Sequence, residues 1–247
     1  MTKRKQESYR KLIITCICTF IALLFPYPLT AKTFEYKGNG KELANKDGRA
    51  DSMLVCQLRH KGISFSHNNS VILLCTGQEK FDDLFKAIDQ ARSSIHLEYF
   101  NFRNDSINDE LIRHLEKKVR QGVEVRAIFD GFGNASNNQP MKKSTLRAIR
   151  KKGIEIYEFK PIEFPWIHDI FNRDHRKIVI IDGKIAYTGG MNVADYYIKG
   201  TKVVGSWHDM HCRIEGDEVN TLQNIFLRMW YLVSTKQVHG AKYYRGI

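Results

Sequence analysis

His175 and Lys177 stand two residues apart in RDHRKIVIIDGKIAYTGGMN, residues 173–192. In an extended chain, residues two apart project to the same side, so an imidazole and an ammonium address one point in space. A phosphate makes use of both. The histidine attacks phosphorus or protonates a leaving oxygen, and the lysine neutralises the negative charge that develops. Asn192 adds amide hydrogen bonds to the same oxygens, and Gly189 and Gly190 let backbone come close to them. Asp182 either pairs with the lysine or fixes a turn. The scheme calls for no metal and no cofactor.

A histidine and lysine at this spacing are common on protein surfaces, so the pair alone decides little. The full order is far more specific: His175, Lys177, four residues, Asp182, six residues, Gly189-Gly190, one residue, Asn192. The elements needed to hold that order are legible on either side. An apolar run at 71–75 reads as a buried strand, and 81–91 as a helix with Phe81, Leu84, Phe85 and Ile88 on one face. Residues 94–102 alternate like a strand, and 107–122 form an amphipathic helix capped by Asn104, Asp105 or Ser106 and stopped by Gly122. A strand from 123, a helix over 141–153 and a strand over 154–159 follow. KIVIID and KIAYTG form two further strands around an Asp182-Gly183 turn. Residues 218–234 make a helix whose stripe of Val219, Leu222, Ile225, Phe226 and Met229 packs a core. Strands alternating with helices predict an α/β layered domain with a largely parallel sheet and functional groups at the strand ends.

The ordered pattern resembles the HKD motif of the phospholipase D superfamily, whose usual ending is Gly-Ser-x-Asn; here Gly190 takes the serine's place. SIHLEYFNF, GVEVRAIFDGFGN and SWHDMHCRIEGDEVNTLQNIF look like further landmarks of the cardiolipin synthase branch, across residues 70–235. The resemblance implies an α/β/α sandwich with a mixed, largely parallel sheet. It also implies two HKD motifs facing across one cleft, one histidine forming a phosphohistidine and the other serving as acid and base. By motif position His175 is the nucleophile or its acid partner, Lys177 and Asn192 hold phosphate, and Asp182 is mainly structural. Asp209 in WHDMH is the candidate for orienting the histidine. Glu98 reads as a strand residue with a hydrogen-bond partner near the cleft, and the spacing of His208, His211, Asp169 and Asp174 matches no metal site.

A second HxK does not occur: His114-Leu115-Glu116 and His208-Asp209-Met210 lack the lysine. The expectation is therefore a homodimer, a separately encoded second half, or an inactive half-domain. The function expected is phosphatidyl transfer of cardiolipin synthase type on an anionic, phosphatidylglycerol-like phospholipid at a membrane. The alternative is a secreted, metal-independent phosphodiesterase or nuclease dimer, with nucleic acid as partner.

Charge and the first residues bear on location. The net charge of +12 favours anionic partners. Lys3, Arg4, Lys5, Arg10 and Lys11 precede an apolar run over 12–25, then Pro26 and Pro28, with small residues near Ala31. That is the pattern of a secretory signal or an uncleaved membrane anchor over 1–31. A polar lead-in over 32–69 and the catalytic domain over 70–247 complete the expected organisation, at the cell membrane or exported. Cys56, Cys75 and Cys212 are too few and too scattered for a disulfide framework, and read as small buried hydrophobes.

Overall fold

The computed structural model describes residues 49–62, 68–162, 171–203 and 205–245. The leader, the lead-in before residue 49, and His168 and Asp169 lie outside the described residues. The chain divides into two units, residues 1–64 and 65–247. In the first, the described element is a helix, α1 (Arg49–His60), within the stretch expected as lead-in.

The second unit is built on one seven-stranded sheet of β1 (Ser70–Leu74), β2 (Ser94–Tyr99), β3 (Glu124–Asp130), β4 (Glu155–Phe159), β5 (Ile178–Ile181), β6 (Ile185–Gly189) and β7 (His211–Glu215). Their order across the sheet is β1-β7-β6-β5-β2-β3-β4. The helices are α2 (Gly77–Gln90), α3 (Ser106–Arg120), α4 (Gly131–Ser136), α5 (Lys143–Lys151), α6 (Tyr196–Lys199) and α7 (Glu218–Ser234), followed by a 3-10 turn at Ala241–Tyr243. Asp105, among the three expected caps, starts α3 by accepting from Asn108 N at 3.4 Å.

The sheet is mixed, but its balance differs from the expected one. Parallel pairing is confined to β2–β3 and β3–β4, and the other neighbours run antiparallel. Parallel neighbours need a crossover, and only α3 and the α4–α5 pair supply one between adjacent strands. β5 and β6 instead reverse through a tight turn.

Alternation along the strands makes two cores. Ile95, Leu97, Tyr99, Val125, Phe129 and Val179 pack with Phe81, Leu84, Ile88, Leu111 and Leu115 on one face. Ile128, Ile178, Ile180 and Ile214 pack under Val219, Phe226 and Trp230 of α7 on the other. Helices on both faces give the expected α/β/α sandwich, and the α7 stripe is core. Strand β1 departs from its buried reading: Val71, Ile72 and Leu73 are 56%, 51% and 62% exposed, because β1 is an edge strand with only β7 beside it. The cysteines depart too. Cys56 and Cys75 are exposed and Cys212 is half-buried, all as free thiols.

The face under α7 holds a buried polar knot. His96 stacks on Phe226 at 4.5 Å and leans against Tyr243 at 5.5 Å. Its Nδ1 lies 3.2 Å from Gln223 Oε1, and its Nε2 lies 3.3 Å from Arg126 Nη1. Burial, then the Arg126 charge, pushes the imidazole down to about 3, so it is neutral. Tyr243 donates to Glu124 Oε2 at 2.5 Å, which closes the knot from the C-terminal turn.

Asp182 is the corner of the β5–β6 hairpin. Asp182 and Gly183 both take positive φ, 53° and 61°, as the central pair of the turn closed by Lys184 N donating to Ile181 O at 2.9 Å. The Asp182 carboxylate accepts from Arg92 N at 2.8 Å, Ser93 N at 2.7 Å, Ser93 Oγ at 2.9 Å and Ser94 N at 3.0 Å. Burial opposes its ionisation, but the bonds from Ser94, Ser93 and Arg92 outweigh it and hold the carboxyl below its ordinary value. Asp182→Ala is expected to cost about 2 kcal/mol by urea denaturation at pH 7. Because a depressed carboxyl stabilises only while ionised, the gap between variant and parent closes as pH falls through that lowered value.

Candidate active site

The C-terminal ends of β2 and β3 form one rim of the sheet. Antiparallel to β2, β5 starts at this rim, and antiparallel to β5, β6 ends there. His175 and Lys177 are thus delivered by the segment leading into β5, and Gly189, Gly190 and Asn192 by the segment leaving β6. Topology joins the two halves of the motif.

The pair is in contact. Lys177 Nζ lies 3.1 Å from each ring nitrogen of His175 and donates to the His175 carbonyl at 2.8 Å. The imidazole is exposed and packs on Phe100 at 4.7 Å between centroids, whereas Lys177 is buried. Burial and then the Lys177 charge hold His175 below its ordinary value, against the raising effect of Asp130 and Asp174. Burial brings Lys177 down to about 8, opposed by Asp174 and Asp209. At neutral pH the ring is therefore neutral and the amine mostly charged: a nucleophile beside a cation.

Asn192 is buried; its Oδ1 accepts from Asn101 N at 3.3 Å and its Nδ2 donates to Tyr197 OH at 3.2 Å. One amide N–H remains uncommitted. Gly189 has φ +152°, and a Cβ there would lie 2.6 Å from His211 Cα, so backbone packs flat against β7. At Gly190 a Cβ would fall 2.1 Å from Asp209 Oδ1. The space where a serine side chain would begin is thus occupied by a carboxylate.

The structure decides between the two readings of Asp182 and locates Asp209. Asp182 is not brought to the pair: it ends β5 at the opposite rim, where it fixes the turn. Asp209 forms no hydrogen bond or ion pair with His175 in this structure. It stands against Gly190 at the entrance to β7, and its charge acts on Lys177 and Lys80. β6 separates β7 from β5, and the imidazole leans the other way, toward Phe100 beyond β2.

The residues behind the histidine come from elsewhere. Asp130, closing β3, accepts from Asp174 N at 2.8 Å, from Phe132 N at 2.8 Å and Gly133 N at 3.0 Å, and from Arg173 Nη1 at 3.4 Å. It caps α4 and tethers the chain one residue before His175. Glu98 has an ion-pair neighbour in place of the hydrogen bond expected of it: Arg176 Nε lies 2.6 Å from Glu98 Oε1 and 3.1 Å from Asp174 Oδ1. Burial, then the nearby Asp174, raises Glu98 well above the ordinary carboxylate range despite Arg176. A raised carboxyl is protonated in the fold and ionised in the unfolded chain, so stability falls as pH rises across that window. Glu98→Gln is expected to flatten the decline between about pH 5 and 8, read from urea midpoints. An unchanged slope would place the buried proton elsewhere.

Position in the fold explains why these residues were missed. Asp130 is a polar residue ending an otherwise buried strand, and Lys80 interrupts the apolar stripe of α2 four residues before Leu84. His208 is exposed and His114 stacks on Phe85, away from the pair. Among the described residues no three His, Cys, Asp or Glu side chains cluster as a metal site, and no helix is long and apolar enough to cross a membrane.

Comparison with known proteins shows the family and the fold. Residues 84–230 match the family model described as "Cardiolipin synthase, PLD-like domain". "Cardiolipin synthase 2" of Staphylococcus epidermidis is 37% identical over 201 residues, 81% of this chain and 39% of that protein. "Cardiolipin synthase" of Halalkalibacterium halodurans is 39% identical over 178 residues, 72% of this chain and 34% of that protein. The chain thus spans less than two fifths of the length of either relative. In fold it resembles NucT from Helicobacter pylori (TM-score 0.51, 18% identity, 67% of this chain and 98% of that one). It also resembles phosphatidylserine synthase of Haemophilus influenzae (TM-score 0.51, 13% identity, 64% and 37%). With a family model covering more than half its residues and the motif assembled at one rim, the chain belongs to the cardiolipin synthase, PLD-like domain family of the phospholipase D superfamily.

Proposed function

We propose that the chain is the catalytic N-terminal half of a phosphatidyltransferase of cardiolipin synthase type, acting on anionic phospholipid. The observation that carries this is the exposed imidazole of His175 held 3.1 Å from Lys177 Nζ. A ring nitrogen attacks the phosphorus of phosphatidylglycerol, forming a P–N bond as the P–O bond to glycerol breaks. Lys177 and the free Asn192 N–H take up the charge on the phosphoryl oxygens. The leaving alkoxide takes its proton from an acid on a second HKD motif. The hydroxyl of another phosphatidylglycerol, giving its proton to that group, then attacks phosphorus and releases the imidazole with cardiolipin.

A second HKD motif completes the cleft; a twofold pair of this chain would place two motifs face to face, and a separately encoded half would serve the same end. The basic N-terminal residues and the apolar run over 12–25 act as signal or anchor and bring the domain to an anionic membrane.

The test is formation of cardiolipin from phosphatidylglycerol vesicles by the full chain, with and without its stoichiometric partner, in EDTA. Product in either arm supports the reading. Cleavage of DNA in EDTA, with no lipid product, supports the metal-independent nuclease instead, for which the surplus of cations is the favouring feature. Neither product, from a monomer that forms no phosphohistidine, identifies a non-catalytic half-domain.

A further inference from the structure

Lys80 lies on α2, four residues before the stretch matched by the family model, and the mechanism above does not use it. Its side chain is fully buried, 0% exposed. The ammonium donates to the backbone carbonyl of Asn192 at 2.9 Å and to that of Met191 at 3.3 Å. It lies 4.1 Å from the centroid of Phe81 and 4.9 Å from that of Tyr99. Among the described residues no carboxylate forms an ion pair with it. A lysine in that position costs desolvation which a leucine or methionine on the same stripe would not. Its contribution is therefore to something other than the core.

The two carbonyls show what it holds. They follow Gly189-Gly190, whose backbone has no side chains to anchor it, and they carry Asn192. With Lys80 on the carbonyl, Asn101 N on Oδ1 and Tyr197 OH beside Nδ2, Asn192 is fixed on three sides. The charged and titratable groups around the ammonium are Lys177, at the start of β5, and Asp209 and His211, at the start of β7. Burial pushes the Lys80 amine well below its ordinary value, opposed by Asp209 and reinforced by Lys177, and the amine donates its hydrogen bonds in either protonation state.

We propose that Lys80 is a positioning residue of the phosphate site: it clamps the backbone of Met191 and Asn192 so that the Asn192 amide is set for a phosphoryl oxygen. The inference rests on the reading of the site as one for a phosphodiester. The experiment separates the two, using the full chain and two variants. Lys80→Met keeps the bulk and removes the amine; Lys80→Ala leaves room for propylamine.

Hydrogen exchange at Asn101, whose N–H donates to Asn192, is expected to quicken in Lys80→Met by about tenfold, the cost of the lost buried hydrogen bonds to the two carbonyls. Exchange in β3 and β4 stays as in the parent. Inorganic phosphate, titrated by calorimetry, is expected to bind the variant weaker by a similar factor. Propylamine, but not propanol, restores both in Lys80→Ala. Unchanged exchange at Asn101 overturns the clamp. Equal rescue by propanol makes Lys80 a filler and also overturns it. Faster exchange with amine-specific rescue, in a parent that binds no phosphate, upholds the clamp and overturns the phosphodiester reading.

Discussion

His175→Ala is expected to abolish the proposed turnover and to leave the fold standing. The ring is exposed and touches Phe100 and Lys177, so its removal opens no cavity. Unfolding in urea is expected to shift by less than about 1 kcal/mol. Under the proposed reaction, product formation is expected to fall by on the order of 10³-fold or more, because the variant lacks the imidazole that attacks phosphorus. The pH profile tests the assignment further. Burial and then the Lys177 ammonium keep the imidazole neutral to lower pH than an ordinary histidine. Lys177→Met removes the positive neighbour, raises the histidine's affinity for protons and moves the acid limb of the residual rate to higher pH. An acid limb that stays in place would show that another group sets it.

The second large effect is on stability. Asp130 is 0% exposed and its carboxylate serves four donors on two segments of chain. Asp130→Ala orphans the first N–H groups of α4 and the Asp174 N–H, and strips Arg173 of an acid. The expected loss is about 3–5 kcal/mol, the cost of removing one partner from a buried charged cluster. The residual rate falls as well, since the segment that delivers His175 loses its tether. Asp130→Asn retains an acceptor oxygen and should recover part of both. A loss below about 1 kcal/mol would mean that water replaces the carboxylate, which its burial forbids.

The residues lying close in sequence were the legible ones. The motif declared itself because residues 173–192 pass through one hairpin, where strand periodicity fixes which side chains face together. An α/β layered domain was readable from alternating strands and from stripes such as Phe81, Leu84 and Ile88, and the α/β/α sandwich from the resemblance. Partners from distant segments were not readable. Asp130 reaches Asp174 across 44 residues and Lys80 reaches Asn192 across 112, and no local spacing announces such a meeting. Asp209 was assigned to the histidine by order along the chain, whereas β6 intervenes in space. The same limit hid the balance of the sheet, since pairing direction depends on which strands become neighbours, and β7 slots between β1 and β6 from the far end of the domain.

Tyr243 carries a consequence for anyone trimming this protein. Its side chain is 3% exposed and lies against His96, and its backbone oxygen would be 2.3 Å from any Cβ at Gly183. The stretch after α7 is therefore a stopper pressed into the sandwich, where it shields an uncharged imidazole from solvent. Expression boundaries drawn at the end of the last long helix would pull that stopper out, and acid would then find a histidine ready to charge.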